Sequence, residues 1–303
     1  MEEEVMADTI ESSTRPSCLK TGTEGACTCP KPYDNLFVST VGTQTKLRFV
    51  AWIDIMGGKS FMWRSMSTCA IFIGKLYDAV DKARKYFSIP DDHVFRMGDG
   101  VYVCGEKFND VRGIVERIMR SCAYDFYKER DDNHRFLLRS AIAYGNTVIG
   151  RDVQEANQVK GLCGNPAFLS MIIGAPVAWA NEAERKAPPF GIFLHESCRS
   201  FQISPSKNIG WVLNKWWLLD GKNFAHDFGK ELLMYLGRQM KNKIETGIVP
   251  EKAMGYCEAI KEYFELPDDG NSTKSNRKEI DEVNNDVKEH TFYFTLFLLQ
   301  VLG

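Results

Sequence analysis

Nine residues, Leu47-Arg48-Phe49-Val50-Ala51-Trp52-Ile53-Asp54-Ile55, leave this chain little choice of fold. The run is dense in β-branched and aromatic side chains and is closed by Gly57-Gly58. A run of that kind is a strand covered on both faces, so other elements must pack on either side of it. It nonetheless carries one carboxylate, Asp54, close to its end.

The segments that follow supply the cover. From Ser60 to about Phe87 a helical pattern is read, with Ile71, Ile73, Leu76 and Val80 taken as one face. His93–Met97 is a short strand, Gly98-Asp99-Gly100 a turn and Val101–Cys104 the returning strand. Phe108–Lys128 is a second helix and Phe136–Ala143 another strand. A helical stretch over roughly 166–186, interrupted at Gly174 and Pro176, precedes a strand at 191–195. The order β, α, β-hairpin, α, β is that of an α+β, ferredoxin-like βαββαβ sheet with helices on one face.

Three regions are expected. Residues 1–45 are rich in Ser, Thr, Glu, Pro and Gly and read as a flexible N-terminal arm. Residues 46–205 hold the sheet and the candidate chemistry. Residues 206–303 form a mostly helical extension with Trp211, Trp216 and Trp217, helices at 222–244 and 250–265, and a polar stretch at 266–288. No internal repeat is seen, so one chain carries one set of motifs.

A formal net charge of −2 over 303 residues gives no basic excess that would argue for a nucleic-acid partner. The apolar run 291–302 is shorter than the roughly 18 residues a membrane span needs, and no membrane association is expected. Met1 is followed by three glutamates, the wrong charge for a secretory leader, so a cytoplasmic location with reduced thiols is expected for the nine cysteines. Cys27 and Cys29 lack the further ligands of a zinc site, and the five histidines form no ligand-spaced pair. No G-x-S-x-G nucleophile turn occurs.

Asp54 ends the central strand and Asp99 sits in the hairpin turn. In a ferredoxin-like sheet these strands are neighbours, so the two carboxylates can converge. Carboxylate oxygens, with the Ile55 carbonyl as a further ligand, suit Mg²⁺ or Mn²⁺. Taken singly, Asp99 is an ordinary turn aspartate and Asp54 a helix cap. Met56-Gly57-Gly58-Lys59-Ser60 offers bare backbone and one cation to phosphate oxygens, although its spacing is not that of a P-loop. Trp52 shares a strand face with Asp54 and is either a pocket wall or a core ring.

These stretches resemble a known family. F-V-A-W-I-D-I-M-G-G at 49–58 and F-R-M-G-D-G at 95–100 are similar to the two metal motifs of class III nucleotidyl cyclases. L-R-S-A-I-A-Y-G at 138–145, I-G-A-P-V-A-W-A-N-E-A-E at 173–184 and F-G-I-F-L-H-E-S at 190–197 resemble, more narrowly, the bacterial stand-alone pyrimidine cyclases of Pycsar antiphage defence. The resemblance spans about residues 47–200. It implies that Asp54, Asp99 and the Ile55 carbonyl hold two Mn²⁺ or Mg²⁺ ions. It also implies a head-to-tail homodimer with its sites at the interface, and a cyclic nucleotide that acts on a separate effector protein.

The departures bear on the base. Where purine cyclases usually carry a lysine, four residues before the second aspartate, this chain has Phe95. Phe95 would stack on a base and Arg96 would donate to its carbonyl oxygens, which favours UTP, then CTP. Asn181 and Arg185 have the four-residue spacing of the family's transition-state pair. Aligning Gly174 and Val177 with the family instead puts Ala178 and Glu182 there, leaving Arg139 as a compensating cation. A purine cyclase and a catalytically inactive nucleotide-binding relative stay open as alternatives. A diguanylate cyclase is disfavoured because no Glu-Phe follows Gly98-Asp99-Gly100.

Overall fold

A computed structural model describes residues 45–58, 62, 65–157, 169–201, 212–241 and 250–267. The expected arm at 1–44, Lys59, Ser60, Trp211, the polar stretch from 268 and the apolar run 291–302 lie outside the described residues.

The chain runs β1 (Lys46–Ile55), α1 (Met66–Tyr86), β2 (Val94–Met97), β3 (Gly100–Gly105), α2 (Phe108–Lys128), β4 (Leu138–Ile149), α3 (Gly150–Asn157), β5 (Ile172–Gly174), α4 (Ala175–Glu184), β6 (Ile192–Leu194), β7 (Leu213–Asn214), α5 (Lys222–Lys241) and α6 (Pro250–Tyr263). The sheet order is β2-β3-β1-β4-β6-β7, with β5 paired to β4. Its first four strands have the expected ferredoxin-like arrangement, and β1 lies between β3 and β4, antiparallel to both.

Side chains alternate across β1. Phe49, Ala51, Ile53 and Ile55 enter one large core with Phe72, Leu76 and Val80 of α1 and Val111, Ile114, Val115 and Ile118 of α2. Val50 and Trp52 enter a second cluster on the opposite face, with Phe95, Tyr102, Cys104, Ala143 and Ala180. That face is covered by α4, so helices lie on both sides of the sheet, which is why β1 is apolar on both.

Three expectations change in detail. The buried stripe of α1 is Cys69, Phe72, Leu76, Ala79, Val80 and Ala83, while Ile71 is 49 % exposed. Positions 71 and 73 are about 200° apart on a helix and cannot share one face. The described part of this helix begins at Met66, where the Ser65 hydroxyl accepts from Thr68 N–H at 3.2 Å. The stretch expected to be helical through 166–186 contains a strand, because Ile172–Gly174 pairs with Val148 and its neighbours on β4. Gly174 takes φ of 150°, and a Cβ there would lie 2.4 Å from the Asn146 carbonyl oxygen. Only glycine makes this strand-to-helix switch.

The C-terminal helices share the large core. Ala225, Phe228, Leu232, Tyr235 and Leu236 of α5, Ile260 and Tyr263 of α6, and Trp216 and Trp217 before them, pack with Phe126 and Phe190. Trp216 Nε1 donates to the Phe190 carbonyl at 2.7 Å. Cys69, Cys104, Cys122, Cys198 and Cys257 are free thiols. Among the described residues no helix is long and apolar enough to cross a membrane.

One ion pair is fully buried. Arg48, 2 % exposed, makes two 2.7 Å hydrogen bonds to Asp152 at the start of α3. Asp152 also accepts from Ile149 N–H at 3.0 Å. Removing Asp152 strands the Arg48 charge without solvent. Asp152→Ala is therefore expected to cost about 3–5 kcal/mol in a urea unfolding curve, and Arg48→Met/Asp152→Leu to recover most of it.

Candidate active site

Asp54 is the penultimate residue of β1, directly across from Gly100 on β3 and Arg139 on β4. Asp99 occupies the β2–β3 turn beside it. The Ile55 N–H donates to the Asp99 carbonyl at 3.2 Å, and the Tyr77 hydroxyl of α1 donates to the Gly98 carbonyl at 2.8 Å. The hairpin turn is thus tied both to the end of β1 and to the helix behind it. Met56 N–H donates to the Leu137 carbonyl at 2.8 Å, so the chain leaving β1 is held against β4 as well.

After Gly57, the backbone passes under the Asp99 side chain. A Cβ on Gly58 would lie 1.8 Å from Asp99 Oδ2 and 2.8 Å from its Cγ. The missing side chain at 58 is what admits the carboxylate.

The electrostatics follow from this crowding. Burial, then the negative charges of Glu184 and Asp99, push the Asp54 carboxyl from 3.8 up to about 7, opposed in part by Arg139 and the Ile55 N–H. Glu184, at the end of α4 and 3 % exposed, is itself raised by burial, again with Arg139 opposing. Asp99 and Glu184 therefore add negative charge beside Asp54, and among the described residues Arg139 offsets only part of it. Hard oxygen donors with that deficit fit a divalent cation such as Mg²⁺ or Mn²⁺. Among the described residues no group of three or more His, Cys, Asp or Glu is placed to hold a metal ion. A cation held there by Asp54, Asp99 and the Ile55 carbonyl alone would keep positions for water and phosphate oxygens, as Mg²⁺ sites usually do.

No protein-family model matches the chain, and no curated protein does either. Similar solved structures are cyclase domains. The monomeric guanylyl cyclase domain of the RhoGC fusion protein from the aquatic fungus Blastocladiella emersonii is 14 % identical, with TM-score 0.38, over 52 % of this chain and 87 % of that one. The guanylate cyclase domain of RhGC from Catenaria anguillulae, in complex with GTP, is 16 % identical, with TM-score 0.39, over 52 % and 81 %. An adenylate/guanylate cyclase/hydrolase from Silicibacter pomeroyi is 17 % identical, with TM-score 0.38, over 56 % and 94 %.

The remaining candidates are distributed unevenly. Trp52 and Phe95 are 7 % and 2 % exposed and pack with Tyr102, whose ring centroid is 4.2 Å from that of Trp52. At that burial neither ring presents a face to a base, so both serve here as packing. Arg96, the next residue on β2, points to the other side of the sheet. There it pairs with Asp81 and Asp91 and lies 5.7 Å from the centre of the Tyr77 ring. It is not in one cluster with Phe95, because neighbouring strand residues face opposite ways. Asn181 is half-buried and hydrogen-bonds Tyr102, whereas Arg185 is exposed at the C-terminal cap of α4. Ala178 and Glu182 are both exposed on the outer side of α4.

Glu184 was not singled out from the sequence. Its signal was a lone carboxylate among Ala180, Ala183 and Ala187, a small-residue face that packs on the sheet.

Two measurements follow. Gly58→Ala is expected to displace the Asp99 carboxylate and to abolish Mn²⁺ binding at micromolar metal while the fold persists, read by calorimetric titration and circular dichroism. Because the folded state holds the Asp54 proton more tightly than the unfolded chain, ionising it costs stability as pH rises from 3.8 to about 7, and the full cost is present above that. In metal-free buffer Asp54→Asn should therefore raise the unfolding free energy at pH 8, by at most about 4 kcal/mol, with the gain vanishing near pH 4.

Proposed function

We propose that this chain is a nucleotidyl cyclase of the class III type that converts UTP, and less readily CTP, into the 3′,5′-cyclic monophosphate and diphosphate. The observation that carries the reading is the meeting of Asp54 and Asp99, from separate segments, at one end of the sheet beside the bare Gly58 backbone.

In the reaction the ribose 3′-oxygen attacks the α-phosphorus, its proton passes to solvent water, and the bond to the β-phosphate oxygen breaks to release diphosphate. Bound divalent ions supply charge neutralisation for the attacking and leaving oxygens. Asp54, Asp99 and the Ile55 carbonyl would hold that charge at a fixed place, because three hydrogen bonds lock the backbone around them. The Gly57-Gly58 turn leaves room for phosphate oxygens against main chain. Arg185 is exposed at the end of α4, away from its own chain's core, which supports a site completed by a second copy in a homodimer. The exposed outer side of α4 is then the surface that faces the partner's triphosphate.

The pyrimidine preference rests on Phe95 standing where a purine-reading lysine would be, and on the likeness of the motifs at 138–197 to antiphage pyrimidine cyclases. On the same likeness, the protein works in the cytoplasm and its product activates a separate effector during infection.

One observation favours a second reading, an inactive nucleotide-binding relative. Arg185 is exposed at the end of α4, and Arg139 is already ion-paired with Glu184.

Purified protein incubated with each of ATP, GTP, CTP and UTP and Mn²⁺ separates these readings. Cyclic UMP is expected as the main product by mass spectrometry, with Asp54→Ala and Asp99→Ala lowering its rate at least ~100-fold. A purine product would reverse the assigned specificity. Tight triphosphate binding without turnover would favour the inactive relative.

A further inference from the structure

Across an antiparallel ladder, directly opposed residues have Cβ atoms about 5 Å apart, so an arginine facing an aspartate ordinarily pairs with it. Asp54 and Arg139 are directly opposed on β1 and β4. Yet the ion pair Arg139 makes is with Glu184 of α4. Its guanidinium also donates, at 3.5 Å, to the Tyr256 hydroxyl of α6. Arg139 is therefore drawn away from its cross-strand neighbour by a carboxylate that has almost no contact with water.

Glu184 has no use for this in packing alone. A buried charge is costly, and a small apolar residue among Ala180, Ala183 and Ala187 would seat α4 on the sheet without that cost. What it accomplishes is selective. Among the described residues, it occupies the cation that offsets Asp54's charge, and it adds its own negative field there.

We infer that Glu184 is a positioning residue that keeps Arg139 off Asp54 and so leaves the Asp54 carboxylate free to take a divalent cation. This rests on the reading of Asp54 and Asp99 as cation ligands. Without Glu184 the guanidinium turns to Asp54 and competes with the metal. Without Arg139 there is no competitor, and Glu184 is no longer needed. The pair thus sets how strongly the site holds its cation, while the atoms that touch it stay the same.

The test uses the full chain and Mn²⁺ alone, with no nucleotide. Free Mn²⁺ is read by electron paramagnetic resonance, and the Mn²⁺-dependent shift in Tm is measured in parallel. Glu184→Gln is expected to weaken Mn²⁺ binding about tenfold, the lower range for residues that orient ligands. Arg139→Met should bind at least as tightly as the parent. The double variant Glu184→Gln/Arg139→Met should return to within about threefold of the parent, a coupling that additive damage cannot give.

Unchanged affinity in Glu184→Gln overturns the inference and leaves the metal reading standing. A double variant weaker than either single one also overturns it, since that is the behaviour of lost packing. Should Glu184→Gln fail to fold, Arg139→Met decides alone: weaker binding there overturns it. Parent binding that survives Asp54→Asn removes the metal reading and this inference together.

Discussion

Desolvated negative charge at the end of β1 is the constraint on which the arrangement depends. β1 has a strand on each side and helices over each face, so a carboxylate in its interior would have no compensation. Asp54 is tolerated because it lies where the strand meets the hairpin turn and the start of β4. There Asp99 and Glu184 add to the charge and Arg139 subtracts from it. A fold that places acids so close and so far from water gives up stability at that end of the sheet.

Much of this was legible in the chain. The apolar run 47–55, the Gly-Gly that ends it and the Gly98-Asp99-Gly100 turn led to β1 and the β2–β3 hairpin, because strand alternation and turn chemistry are local properties. The nearness of Asp54 to Asp99 followed from the order of strands. Arg96 shows the same local rule set aside: once Phe95 faces α4, Arg96 must face α1, and its pairing with Asp81 follows.

What was illegible depends on long-range contacts. Residues 172–174 read as helix because their apolar run is short, and only the β4 partner, 25 residues back, makes them a strand. Trp52 and Phe95 could be judged as wall or core only once α4 covered them. Glu184 needed both the docking of α4 and the register of β1 on β4 before its partner could be named, and no local pattern carries that information.

The long hydrogen bond from Arg139 to Tyr256 gives the C-terminal helices a stake in the chemistry at the far end of the sheet. Tyr256 belongs to α6, which packs with α5 on the aromatic core around Phe190, and Phe190 N–H is bonded to the Leu138 carbonyl next to Arg139. Two separate threads therefore run from the tail to one residue beside Asp54. Trimming the protein back to its sheet and first helices would slacken both, so the tail braces the strand end on which Arg139 stands.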